Sequence, residues 1–133
     1  FIKDPKLVDF LTELQKQLLS LGAQLADPKY QDRASDKGRL DSMWVEWMER
    51  KIDEWEVYLP KLNKFILSRG GQGGALLHVC RTVCRRTERS VVQLAESAPI
   101  EPIVIRYLNR LSDLLFVLAR VVNYKEGREE LQW

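Results

Sequence analysis

Between His78 and Arg89 the chain reads His-Val-Cys-Arg-Thr-Val-Cys-Arg-Arg-Thr-Glu-Arg. Folded as a helix at about 100° per residue, this stretch gathers His78, Arg81, Arg85, Glu88 and Arg89 into one sector about 100° wide, with Arg86 further round. Arginines one turn apart, about 6 Å along the axis, match the successive phosphates of a polyphosphate, which guanidinium groups grip with paired hydrogen bonds. Glu88 would orient an arginine or meet a metal ion. The same spacing also describes a solvated face with local Arg–Glu pairs, and residue chemistry alone leaves both readings open.

Other candidates are weaker. His78 is the single histidine, and Cys80 and Cys84 stand near it, yet these three side chains point around a helix in different directions and do not make a zinc site. A buried or hydrogen-bonded histidine is the plainer expectation. Neither cysteine has a second histidine to serve as its base. The glycine-rich run Gly70, Gly71, Gln72, Gly73, Gly74 stands before the helix and suggests an anion-binding helix start, but it lacks the Gly-Lys-Ser/Thr of a P-loop and reads equally as a flexible turn. Further on, Arg106, Asn109, Arg110, Asp113 and Arg120 interrupt a very apolar stretch. Asn109 must bond across to another helix or reach a ligand between helices.

The elements that would position these groups are helical. Leu7, Phe10, Leu11, Leu14, Leu18, Leu21 and Leu25 recur every three or four residues, predicting a helix that starts at Asp4-Pro5 and stops at Asp27-Pro28. Residues 29–38 read as a polar loop. A second helix fits 39–59, with Leu40, Met43, Trp44, Trp47, Ile52 and Trp55 inward and Pro60 at its end. The third runs from about Ala75 to Glu96, and the fourth from Pro102 to about Tyr124, with the proline in its first turn. No alternating strand pattern occurs, so the expected fold is all-α: one domain over residues 1–133, an antiparallel bundle of four to five helices, four of them visible here.

Composition narrows the function classes. The 133 residues carry 21 basic and 19 acidic side chains, a net charge of +2, too balanced for a general nucleic-acid or membrane-surface binder. No apolar run approaches the roughly 20 residues that span a bilayer. Cys80 and Cys84 lie one turn apart, where a disulfide would distort the helix, which fits a reducing compartment.

The segment His78 to Arg89 closely resembles the central signature of PduO-type ATP:cob(I)alamin adenosyltransferases. Two further blocks in register carry the likeness: Phe65-Ile66-Leu67 upstream, and Arg106 to Phe116 downstream, followed by Glu129, Glu130 and Trp133. The likeness is weak over residues 1–58 and strong from Leu59 on. It implies a helical bundle that assembles as a homotrimer, with ATP and cobalamin between neighbouring subunits. By position, Arg85, Arg86, Glu88, Arg89 and Asn109 resemble the family's nucleotide contacts, and Phe65 resembles the aromatic residue beneath the corrin ring. Arg81 resembles an arginine that pairs with an acidic residue of the adjacent subunit.

The implied reaction moves the 5′-deoxyadenosyl group of ATP to the cobalt of reduced cobalamin and releases triphosphate, with Mg²⁺, with Arg85 and Arg81 in the catalytic set and no metal held by the protein. An electron-donating reductase is the implied partner, in the cytoplasm or, in a eukaryote, the mitochondrial matrix. Ser68 and Ser90 stand where the family usually has proline and arginine. The family's nucleotide loop and a helix with Asp-Glu-Leu-Asn do not occur here and are expected upstream of Phe1. The alternative function is a non-catalytic bundle that binds a partner or cobalamin.

Overall fold

The computed structural model describes residues 1–27 and 40–133, so the predicted polar loop over 29–38 lies outside the described residues. Four helices form: α1 (Pro5–Ala26), α2 (Ser42–Glu56), α3 (Gln72–Leu94) and α4 (Pro102–Lys125). Their starts follow from local chemistry. The Asp4 carboxylate accepts from the Lys6 N–H at 3.0 Å with Pro5 in the first turn of α1, and Asp41 accepts from Met43 N–H at 2.9 Å. Pro102 occupies the first turn of α4.

Cross-helix contacts give the direction of each helix. Asn123 near the end of α4 meets Gly71 at the start of α3, and Lys125 bonds Asp4 at 2.7 Å before α1. The Gln24 side-chain oxygen Oε1, near the end of α1, accepts from the Leu40 N–H that precedes α2. Helices α1 and α3 therefore each run antiparallel to α4. Helix α4 forms the centre, with Tyr107, Leu114 and Leu118 fully buried. Helix α1 joins through large side chains: Phe10 stacks on Trp47 at 4.5 Å and meets the edge of Trp55 at 4.9 Å, while Tyr107 O–H donates to Gln17 at 2.9 Å.

Two expectations are corrected. Met43 is 64% exposed, and the inward positions of α2 are Val45 and Met48, both fully buried. At 100° per residue Met43 sits about 140° from Met48, so the helix that buries one exposes the other. Helix α3 also starts three residues earlier than its sequence suggests, because Gly73 and Gly74 belong to its first turn. Side chains there would strike Ile2 and Val122 at one position and the Asn123 amide at the other. Among the described residues of the glycine run, only Gly70 needs positive φ, at 141°.

These glycines predict opposite signs for one substitution. Gly74→Ala forces a methyl into Asn123 and should lower stability by about 1 to 3 kcal/mol. Gly22 in α1 has open space around it, so Gly22→Ala should raise stability by about 0.5 to 1 kcal/mol. Urea unfolding of both variants measures the contrast.

Candidate functional site

Helices α3 and α4 run side by side, and two extended segments close over one side of them. Residues 60–67 follow α2, and residues 128–133 end the chain. They pair through a single antiparallel bridge, Ile66 to Gln132. Between these segments and the two helices lies a cleft of about 780 Å³, lined by Phe65, Arg81, Arg85, Asp113, Phe116 and Trp133 among others. Three residues singled out from sequence, Phe65, Arg81 and Arg85, are thus brought together from two elements.

The cleft is cationic on one wall and aromatic on the others. Arg81 lies over the Phe116 ring, its guanidinium carbon 5.0 Å from the ring centre, an attraction between cation and ring face. Arg85 is exposed and forms no ion pair with the described residues. Asp113, the acidic group in the lining, is held by Arg110 at 2.8 Å. Phe65 is 79% and Trp133 84% exposed, an uncommon state for two large rings on one wall.

One turn further along both helices, the Asn109 amide donates to Glu88 at 3.2 Å while its oxygen accepts from Arg110 at 2.7 Å. Asn109 thus bonds across to α3. Arg86 and Arg89 are exposed on α3 outside the cleft lining. The arginine ladder therefore divides into a cleft pair, Arg81 and Arg85, and a flanking group, Arg86, Glu88, Arg89 and Asn109.

Beneath the cleft, His78 is buried, its ring 6.0 Å from that of Phe116. Among the described residues, neither ring nitrogen has a hydrogen-bond partner, and neither does the buried Nε of Arg81. Burial, assisted by the nearby Arg81 charge, pushes the His78 pKa below its ordinary value. The cysteines are unpaired. Cys84 is buried, its thiol donates to the Leu108 carbonyl, and burial pushes its pKa up to about 11, which removes it as a nucleophile at neutral pH. No three His, Cys, Asp or Glu side chains converge among the described residues in a way that could hold a metal ion.

Sequence reasoning missed the cleft roles of Phe116 and Trp133, although both stand in quoted blocks. It also missed Asn123, which accepts from Gly71 N–H at 3.1 Å and donates to the Arg69 carbonyl at 2.9 Å. Asn123 holds the entry to α3, and the Glu126 carboxylate lies against Gly71. The helix start that had suggested an anion site is already faced by a carboxylate.

Known proteins share the sequence pattern and the helical fold. The sequence model of the family described as Cobalamin adenosyltransferase matches residues 2–122. A corrinoid adenosyltransferase, MMAB, of Bos taurus is 38% identical over 130 residues, covering 96% of this chain and 54% of that protein. A cobalamin adenosyltransferase of Cupriavidus metallidurans is 40% identical over 124 residues, covering 92% and 63% respectively. The chain thus spans roughly half to two thirds of these relatives' length. Among solved structures, a variant PduO-type ATP:corrinoid adenosyltransferase from Lactobacillus reuteri, complexed with cobalamin and ATP, superposes with a TM-score of 0.91. It shares 36% identity and is matched by all of this chain over 72% of its own.

The neutral, buried His78 has a consequence for stability. Below its ordinary pKa of 6.5 the unfolded chain takes up a proton that the folded chain resists. Stability is then lost as pH falls, by at most about 1.4 kcal/mol per unit for one proton. In His78→Gln that part of the slope disappears, so the gap between the two melting temperatures should narrow from pH 7 to pH 5.

Proposed function

The chain belongs to the cobalamin adenosyltransferase family, and we propose that it forms the body of an enzyme transferring the 5′-deoxyadenosyl group of ATP to the cobalt of cob(I)alamin. One observation carries this reading: an anion grip, Arg85, and a flat aromatic group, Phe65, face a common cleft of about 780 Å³. A triphosphate and a planar corrin require that combination. The Lactobacillus reuteri neighbour, complexed with cobalamin and ATP, supports the same pair of substrates.

In the reaction, the cobalt(I) electron pair forms the bond to the 5′ carbon, and the carbon–oxygen bond breaks with its electrons leaving on triphosphate. Charge grows on the departing phosphates. Arg85, unpaired by neighbouring acids, is free to meet that charge, and such contacts accelerate reaction when they are stronger in the transition state than before it. Arg86, Glu88, Arg89 and Asn109 extend the nucleotide contacts along α3 and α4, with Glu88 and Asn109 already orienting each other. Phe65 takes the lower corrin face and keeps the lower ligand off cobalt. The chemistry is that of the substrate, and the protein contributes positioning and exclusion of water.

Arg81 completes the set by pairing with an acidic residue of a neighbouring subunit in a homotrimer. Its buried Nε lacks a partner among the described residues, and α3 leaves Leu76, Val79 and Val83 exposed, which supports a covering copy. Magnesium enters this reading only as companion to the triphosphate; the described side chains supply no ligand cluster, and no step is assigned to it. A reductase would supply the electron for cob(I)alamin. No helix among the described residues is long and apolar enough to cross a membrane; the free cysteines are in keeping with a cytoplasmic or mitochondrial-matrix site.

Mixing the full-length protein with chemically reduced cobalamin, ATP and Mg²⁺, and following adenosylcobalamin by its spectrum, tests the reading. Arg85→Ala should lower kcat by about 10² to 10³-fold with the fold and assembly intact. Absence of turnover in an intact wild type would leave a binding module. Phe65→Ala should instead diminish the bound cob(II)alamin that lacks its lower ligand, seen in the absorbance or paramagnetic-resonance spectrum; an unaltered spectrum would remove its role.

A further inference from the structure

Phe65 and Trp133 sit directly opposite each other on the Ile66–Gln132 bridge. Trp133 N–H donates to the Phe65 carbonyl at 2.9 Å, and Leu67 N–H to the Leu131 carbonyl at 2.8 Å. Opposed residues of an antiparallel pair project from the same side, and both rings do line the cleft. Yet a two-stranded ribbon of this size is marginal in water. Some other contact must fix its position.

Arg120 provides it. On α4 it stands one turn beyond the cleft residue Phe116, and its side chain is only 6% exposed. Nε donates to Glu130 Oε1 at 2.7 Å, and Nη2 donates to Glu130 Oε2 at 3.3 Å and to the Pro60 carbonyl at 2.7 Å. Pro60 opens the segment that carries Phe65, and Glu130 stands three residues before Trp133. One guanidinium therefore grips both halves of the ribbon at their roots. Its rigid planar fork sets the angle between them, which a lysine ammonium would not do. Removing one member leaves the other charge buried and unpaired.

We propose that Arg120 and Glu130 are positioning residues that hold the Phe65–Trp133 ribbon against α3 and α4, so that the aromatic wall of the cleft is set before a planar ligand arrives. The inference rests on the corrin reading of that cleft. Neither residue touches the ligand in this scheme; each acts through the backbone that carries the rings.

The test uses the full-length protein with Glu130→Ala and Glu130→Gln, because Glu130 lies outside the helices and its loss leaves the α1–α4 core in place. Two measurements are made: amide hydrogen exchange, and the spectrum of cob(II)alamin bound in the presence of ATP. In Glu130→Ala, exchange at Leu67 and Trp133 should rise by about tenfold or more while the α3 amides stay protected. The share of cob(II)alamin without its lower ligand should fall several-fold, with ATP affinity preserved. Glu130→Gln should recover much of both, since its amide oxygen still accepts from Arg120.

Unchanged exchange in a folded Glu130→Ala protein would overturn the anchor. Faster exchange with an unchanged cobalt spectrum would overturn its service to the site. If wild type binds no cobalamin while the exchange response remains, the corrin reading falls and the anchor stands.

Discussion

The structure turns on the burial of α4. Of its 24 residues, 14 are buried, and the polar side chains among them cannot be left to water. Each must find a partner inside the fold or cost the full price of desolvation. Tyr107 takes Gln17 of α1, Arg120 takes Pro60 and Glu130, and Asn123 takes Arg69 and Gly71. Three polar residues spaced along one helix thus tie it to four other parts of the chain. The apolar remainder packs the core, and these bonds fix how the loops lie on it.

Helix α3 is placed by the same constraint. Its first turn comes so close to α4 that Gly73 and Gly74 have no room for a side chain, and the Asn123 amide fills the space at the entry. Cys84, further along, donates to the Leu108 carbonyl at 3.3 Å. With both helices locked in register, Arg85 on one and Asp113 and Phe116 on the other face a common cleft. The line of arginines owes its position to small residues and buried bonds that take no part in chemistry.

Helical periodicity made the architecture legible. Leucines at three- and four-residue intervals and prolines at the boundaries located all four helices, because burial of one face is what those intervals serve. The errors came where tertiary packing overrode local meaning. Glycines that read as a loop became a helical turn through contact with α4, and Met43 yielded to Met48 because the phase of α2 is set by its neighbours. At the site, physics alone left the arginine face undecided between solvent and phosphate; the resemblance of residues 78–89 inclined it toward phosphate. Trp133 and the Arg120–Glu130 pair were harder to see, since extended segments joined by one bridge leave no periodic trace. Arg120 did carry a signal, a charge within the apolar run of α4, which demands a buried partner without naming it.

Three arginines around the cleft differ in how far the chain engages them. Arg120 has its donors engaged by a carboxylate and a carbonyl, and the geometry around it is closed. Arg81 stacks on Phe116 with a buried Nε that nothing within the described chain accepts, beside a histidine whose two nitrogens are equally unengaged. A polar atom in that condition costs free energy that the rest of the fold must offset. Arg85, one turn away, is exposed and forms no ion pair with the described residues, although Asp113 lines the same cleft. Identical side chains therefore differ in how many of their donors the described chain has already used: Arg120 is fully engaged, Arg81 is partly engaged, and Arg85 forms no ion pair with the described residues.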